Sequence, residues 1–191
     1  MPLFQSCVVI KLLGVKDGNQ KFGIWRFQDV PSDCACVVRA VMYLKWILPS
    51  FPVHTDSEGP ARTISTHQML RKWNEGTVSL GDLNSGTDFV ADHTDTFTVH
   101  PGSNGVVGKL SNGYVPFNVT TAVRNWVNGD PNNGILLMDP MLNEAMSELR
   151  LYWQFWGTGS GVSAEDYPYI EVSYHSKELK VCTLSSVLVP Y

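Results

Sequence analysis

The run LRLYWQFW, residues 149–156, places Arg150, Tyr152, Gln154 and Trp156 at alternate positions. In an extended strand alternate side chains share a face, so two aromatic rings would stand beside a guanidinium and an amide. That is the composition of a sugar-binding surface, where rings stack on glycan C–H groups and a few polar side chains fix orientation. Cover by a loop, a terminal arm or a neighbouring subunit is the competing use of the same four residues.

Oxygen-bearing side chains gather in a second place. Asp130, Asn132 and Asn133, with Asp139, offer the hard oxygen ligands that Ca²⁺ prefers, although not at EF-hand spacing. Asp130, Asn132 and Asp139 are therefore the candidate ligands of a structural Ca²⁺, and no other cofactor is expected. Glu75, Asp82, Asp88, Asp92 and Asp95 are the carboxylates from which a glycosidase pair would have to be drawn, and solvated loop acids are the simpler reading.

The five histidines, His54, His67, His93, His100 and His175, never fall in H-x-x-x-H or H-x-H, so zinc hydrolase chemistry has no local signature. Surface or loop positions are expected for them. Ser160 in GTGSG is wrongly placed for a nucleophile elbow, and with no catalytic constellation in view an enzyme is not expected. Cys7, Cys34, Cys36 and Cys182 fit neither a zinc ribbon nor a dense disulfide framework; buried free thiols are the preferred reading, with a disulfide as the alternative.

These residues need a scaffold, and the composition points to one. A chain of 191 residues is large enough for a single domain with its own core. Only 17% of it is charged, and 16 glycines and 11 prolines recur along its length, the make-up of many short strands joined by turns. A net charge of −4 with scattered Lys and Arg gives no field for nucleic acid. No run approaches the roughly 18 apolar residues of a membrane span, and the start MPLFQSCVVIKLLGVKDG lacks the features of a signal peptide.

Residues 7–13 and 21–27 flank the turn-rich segment 14–19 and read as a hairpin. In VVRAVMYLKWIL, residues 37–48, the positions Val38, Ala40, Met42, Leu44, Trp46 and Leu48 form one apolar row, so a half-buried strand is expected, ended by Pro49. Residues 64–73 are ambiguous between a strand and a helical turn, and 75–89 are turn-rich. Residues 149–156 and PYIEVSYHS, 168–176, alternate as strands. The final VCTLSSVLVPY adds one more strand or an extended arm.

The most patterned stretch is FNVTTAVRNWVNGDPNNGILLMDP, residues 117–140. Val123, Trp126 and Val127 have the spacing of one helical stripe, with Thr120 or Thr121 as N-cap and Asn128-Gly129 as the stop. A helix of two turns is marginal alone and must pack on a sheet. With Phe117 and Val119 pointing inward, Asn118 is expected on the surface, where Asn118-Val119-Thr120 is also an N-glycosylation sequon. Packing and turn formation account for the whole stretch.

Phe117, Asn118, Val119, Thr120, Val123, Trp126, Gly129, Asn133, Gly134, Ile135, Leu136 and Leu137, taken together, resemble the C-terminal half of DNRLRE domains. IWRFQDVP with VVRAVMYLKW, the turn Trp73-Asn74-Glu75-Gly76, and Pro168 to Tyr174 follow the same family's order, so the resemblance spans roughly residues 20–175. The opening "N-Y-G" segment of that family has no counterpart, and Asn118 stands where it usually has Asp. DNRLRE domains are jelly-roll modules related to carbohydrate-binding modules, alginate-binding ones included.

The fold expected is all-β: a two-sheet jelly-roll β-sandwich of about eight strands with one short helix near residues 121–128. Residues 1–175 form the module, and 176–191 an extra strand or docking arm. The resemblance implies a non-catalytic carbohydrate-binding or adhesion module on an extracellular surface, its partner a polysaccharide or cell-surface glycan. The alternative is a structural subunit of a larger assembly, a homo-oligomer or a virion-surface or decoration protein. Neither nucleic-acid binding nor membrane insertion is expected.

Overall fold

The computed structural model describes residues 10–16, 19–28, 30, 36–45, 62–74, 78, 80–99, 113–138, 152–156, 163–175 and 179–185. Among the described residues the strands are β1 (Ile10–Lys16), β2 (Asn19–Lys21), β3 (Gly23–Trp25), β4 (Cys36–Lys45), β5 (Arg62–Gln68), β6 (Asp95–Val99), β7 (Tyr114–Asn118), β8 (Ile135–Met138), β9 (Tyr152–Trp156), β10 (Tyr169–His175) and β11 (Leu179–Ser185). One α-helix, α1 (Thr120–Val127), joins β7 to β8.

Two four-stranded sheets, ordered β11-β10-β4-β7 and β3-β8-β5-β6, make the sandwich, and β2-β1-β9 form a third, smaller sheet. Every pairing between strands is antiparallel, and the chain passes repeatedly from one large sheet to the other, in jelly-roll manner. The all-β sandwich is thus as expected, with more and shorter strands. The hairpin differs in detail: β1 continues through Lys16, β2 resumes at Asn19, and the following residues split off as β3 to pair with β8.

Alternation builds the core. Ala40, Met42 and Leu44 of β4, Val115 and Phe117 of β7, and Ile170, Val172 and Tyr174 of β10 face Trp25, Ile64, Ile135 and Leu137 of the opposite sheet. Each fully buried large apolar side chain contributes about 1.5–3 kcal/mol, the main term holding the layers together. Ala122, Val123 and Trp126 of α1 join the same core, so the helix is held by its apolar stripe, as its length requires.

One member of the expected apolar row is misplaced. Val38 is 41% exposed and Val37 is buried, because a bulge lies where Ser173 pairs with Arg39 but Tyr174 pairs with Val37. The bulge shifts the alternation by one residue and turns Val38 outward. Arg124 of α1 holds this irregularity, its Nε and Nη2 donating to the carbonyls of Val37 and Val38 at 2.8 and 3.1 Å. Trp46, Leu48 and Pro49 lie outside the described residues.

The helix also begins one residue earlier than expected. Its N-cap position is Val119, without a side-chain capping bond, so neither Thr120 nor Thr121 caps it. Thr120 is used otherwise: its Oγ1 accepts from the backbone N–H of Ala40 at 2.9 Å and donates to Asn118 Oδ1 at 2.7 Å, tying α1 to β4. The stop is where the sequence placed it, with Asn128 N–H bonded to Arg124 O and Gly129 at φ +109°.

The turn after α1 locks the second sheet. Asn133 is buried and its Nδ2 donates to Leu70 O at 2.9 Å, while its carbonyl accepts from Trp73 Nε1 at 2.7 Å. Gly134 stands at φ +99°, and a Cβ there would lie 2.4 Å from Trp25 O. Only glycine fits so close an approach in the left-handed region. The buried residues of the stretch 117–138 serve packing and turn formation.

Candidate functional site

The two large sheets present different outer faces. On β3-β8-β5-β6, Ile24, Leu136 and Met69 are buried beneath Phe89, with Phe22, Trp73, Val78, Leu83 and Met138 packed around them. The segment following β5 therefore folds back over the part of this face built by β3, β8 and the end of β5, while Thr96 and Thr98 of β6 stay exposed.

The outer face of β11-β10-β4-β7 is built differently. Tyr169 of β10 pairs with Tyr43 of β4, which pairs with Pro116 of β7; one step along β4, Lys45 pairs with Tyr114. The Tyr43 and Tyr169 rings stack at 4.9 Å with 21° between their planes, and Tyr114 meets Tyr169 edge-on at 5.6 Å. Three half-buried tyrosines thus share one patch, with exposed Arg39, Pro116, Asn118 and Glu171 beside them. Cross-strand aromatic pairs of this kind stabilise a sheet and leave ring surface and hydroxyls for a ligand.

A 3₁₀ turn, Ala164–Asp166, walls one side of the patch. Asp166 pairs with Lys45, and the Glu165 carbonyl accepts the Tyr114 hydroxyl. Lys45 Nζ lies 5.8 Å from the centroid of the Tyr114 ring. The hydrogen bond that Lys45 donates to the Asp166 carboxylate raises the lysine pKa above its usual value, so this ammonium is charged and already partnered.

Burial also pushes the phenol pKa of Tyr43, Tyr114 and Tyr169 upward, and nearby carboxylates add to it: Glu171 at Tyr43 and Tyr169, Asp166 and Glu165 at Tyr114. The hydroxyls remain neutral donors across the physiological range. Tyr43 makes a long contact of 3.4 Å to Glu171 Oε2, and Tyr169 has no hydrogen-bond partner for its hydroxyl among the described residues. The arrangement can stack, donate and accept.

None of the site residues singled out from sequence is one of the three tyrosines of this patch. Tyr152, Gln154 and Trp156 lie on β9, in register with Gly14, Leu12 and Ile10 of β1, and their description is that of the backbone alone. Arg150 lies outside the described residues, as do Asp139, Glu75, His54, His100, Ser160, Cys7 and Cys34. Of the candidate Ca²⁺ ligands, Asp130 is exposed; Asn132 donates its Nδ2 to Phe27 O at 2.6 Å, while its buried Oδ1 has no hydrogen-bond partner among the described residues. No group of three or more His, Cys, Asp or Glu among the described residues is placed to hold a metal ion.

Three expectations about single residues are corrected. Asp88 is no solvated loop acid: it is buried, with Oδ1 2.8 Å from Arg71 Nε and Oδ2 accepting from Asn84 N–H at 2.7 Å. His67 is no surface histidine: it lies on the covered face of β5, edge-on to Phe89. Cys36 is a free thiol, but exposed at the start of β4 where a buried one was expected.

His67 Nδ1 stands 2.9 Å from the Val90 carbonyl, which can only accept, so the neutral ring carries its proton there. Nε2 is left to accept the Ser65 hydroxyl at 2.9 Å. Serine beside a histidine base is a nucleophilic pairing. Here both side chains are buried under the segment after β5, and the pair pins that segment to the sheet.

Sequence reasoning missed the tyrosine patch. Tyr43 stood in the mixed row of its strand, and Tyr114 and Tyr169 at strand starts; only the register brings them together. A search of protein-family models finds no match to this chain, and a search of curated proteins finds none. No helix among the described residues is long and apolar enough to cross a membrane.

Proposed function

We propose that this chain is a non-catalytic carbohydrate-binding module of adhesion type, attaching to a glycan on an extracellular surface through the outer face of β11-β10-β4-β7. The observation that carries this reading is the patch of Tyr43, Tyr114 and Tyr169, with stacked rings, a Tyr169 hydroxyl without a hydrogen-bond partner among the described residues, and flanking charged groups on one sheet. Aromatic rings framed by a few polar groups are what sugar recognition needs. The resemblance of residues 117–137 to DNRLRE domains supports the same class, although fold likeness alone does not carry function.

The test is retention on immobilised polysaccharides, comparing the native chain with Tyr43→Ala and Tyr169→Ala. Each ring removed lowers affinity at least tenfold, while far-UV circular dichroism is unchanged. Full retention by both variants would remove the patch from the reading.

A second reading, a structural subunit of a larger assembly, has its own observation. Among the described residues β11 pairs on one side only, with β10, so its other backbone edge can accept a strand from a neighbour. A stable multimer in light scattering would favour it.

A further inference from the structure

We propose that the tyrosine face selects neutral polysaccharides and turns away polyuronates, an inference that rests on the glycan-binding reading above. The charges around the rings carry it. Glu171 occupies the rung beside the Tyr43–Tyr169 pair, and Asp166 and Glu165 stand in the turn beside Tyr114. Among the described residues two cations, Lys45 and Arg39, stand beside these three carboxylates, and Lys45 is already paired with Asp166. Arg39 lies one rung beyond Glu171, opposite Ser173, further from the stacked rings than the carboxylate is.

A uronate carboxylate seated on these rings would meet Glu171 before any unpaired cation, and the repulsion strengthens as the ligand excludes water. A neutral sugar meets no such barrier. Its hydroxyls can donate to the Glu171 carboxylate, its ring or hydroxyl oxygens can accept from the Tyr169 hydroxyl, and its C–H face can lie on the aromatic surface. The alginate-binding relatives of the DNRLRE class imply an acidic ligand, and the charge arrangement of this face argues against carrying that ligand over.

The experiment measures binding of the full chain to a neutral β-glucan, to xylan, to alginate and to polygalacturonate at low and high salt. A neutral glycan is expected to bind at least tenfold more tightly than either polyuronate, with little salt dependence. Glu171→Gln is expected to narrow the gap by improving uronate binding, and Tyr169→Ala to abolish neutral-glycan binding. Polyuronate binding equal to or tighter than neutral binding would overturn the selectivity and leave the glycan-binding reading standing. Binding to none of the four would overturn both, as would neutral-glycan binding that survives Tyr169→Ala and Tyr43→Ala together.

Discussion

His67 carries the sharpest consequence among single residues. Its burial holds its pKa below the ordinary histidine value of 6.5, with His93 opposing protonation further, while the Val90 carbonyl and Asp92 favour the charged form. Because the unfolded chain takes up the proton more readily than the folded one, stability falls as pH drops below about 6.5, until the folded-state pKa is passed. Urea unfolding at pH 7.5 and 5.0 measures this, and in His67→Gln that part of the pH dependence is lost. Asp88 makes a comparable point for acids. Asp88→Ala leaves Asn84 N–H and Arg71 without their acceptor, an expected loss of about 1–3 kcal/mol in the same assay. Neither role was visible from residue type, because burial on the outer face of β5 depends on the segment that folds over it, and no local spacing reports that.

Among the elements, the turn between α1 and β8 and the bulge in β4 decide most. Gly134→Ala places a Cβ against Trp25 O in a backbone conformation that L residues avoid; it is expected to cost at least about 2 kcal/mol, seen as a lowered melting temperature. Arg124→Met keeps the helix former but removes two hydrogen bonds from the bulge carbonyls, an expected loss of about 1–3 kcal/mol. Alternation and helical spacing made β4, α1 and β10 legible in the sequence, since a half-buried strand or helix writes its own period. The bulge was not legible. It is fixed by an arginine more than 80 positions away along the chain, and the same distance hides the meeting of Tyr43, Tyr114 and Tyr169. Sequence reasoning looks for aromatic residues at alternate positions of one strand, whereas the tyrosine patch draws one ring from each of three strands.

At the scale of the whole molecule, one outer face is covered in part by its own chain and the other bears the tyrosines, so the sandwich has a defined front and back. A module that attaches through its front is expected to be a monomer in light scattering. β4, the strand beneath the patch, lies between β10 and β7, and both of its partners come later in the sequence. Met42 pairs with Phe117 and with Ile170, about 75 and about 128 positions further on. During synthesis at about 5–20 residues per second, the apolar row of β4 therefore leaves the ribosome roughly 6 to 26 s before its last partner exists. For that interval Ala40, Met42 and Leu44 lack the strands that pack beside them in the folded sheet, and the strand that centres the finished sheet is open to aggregation while the protein is being made.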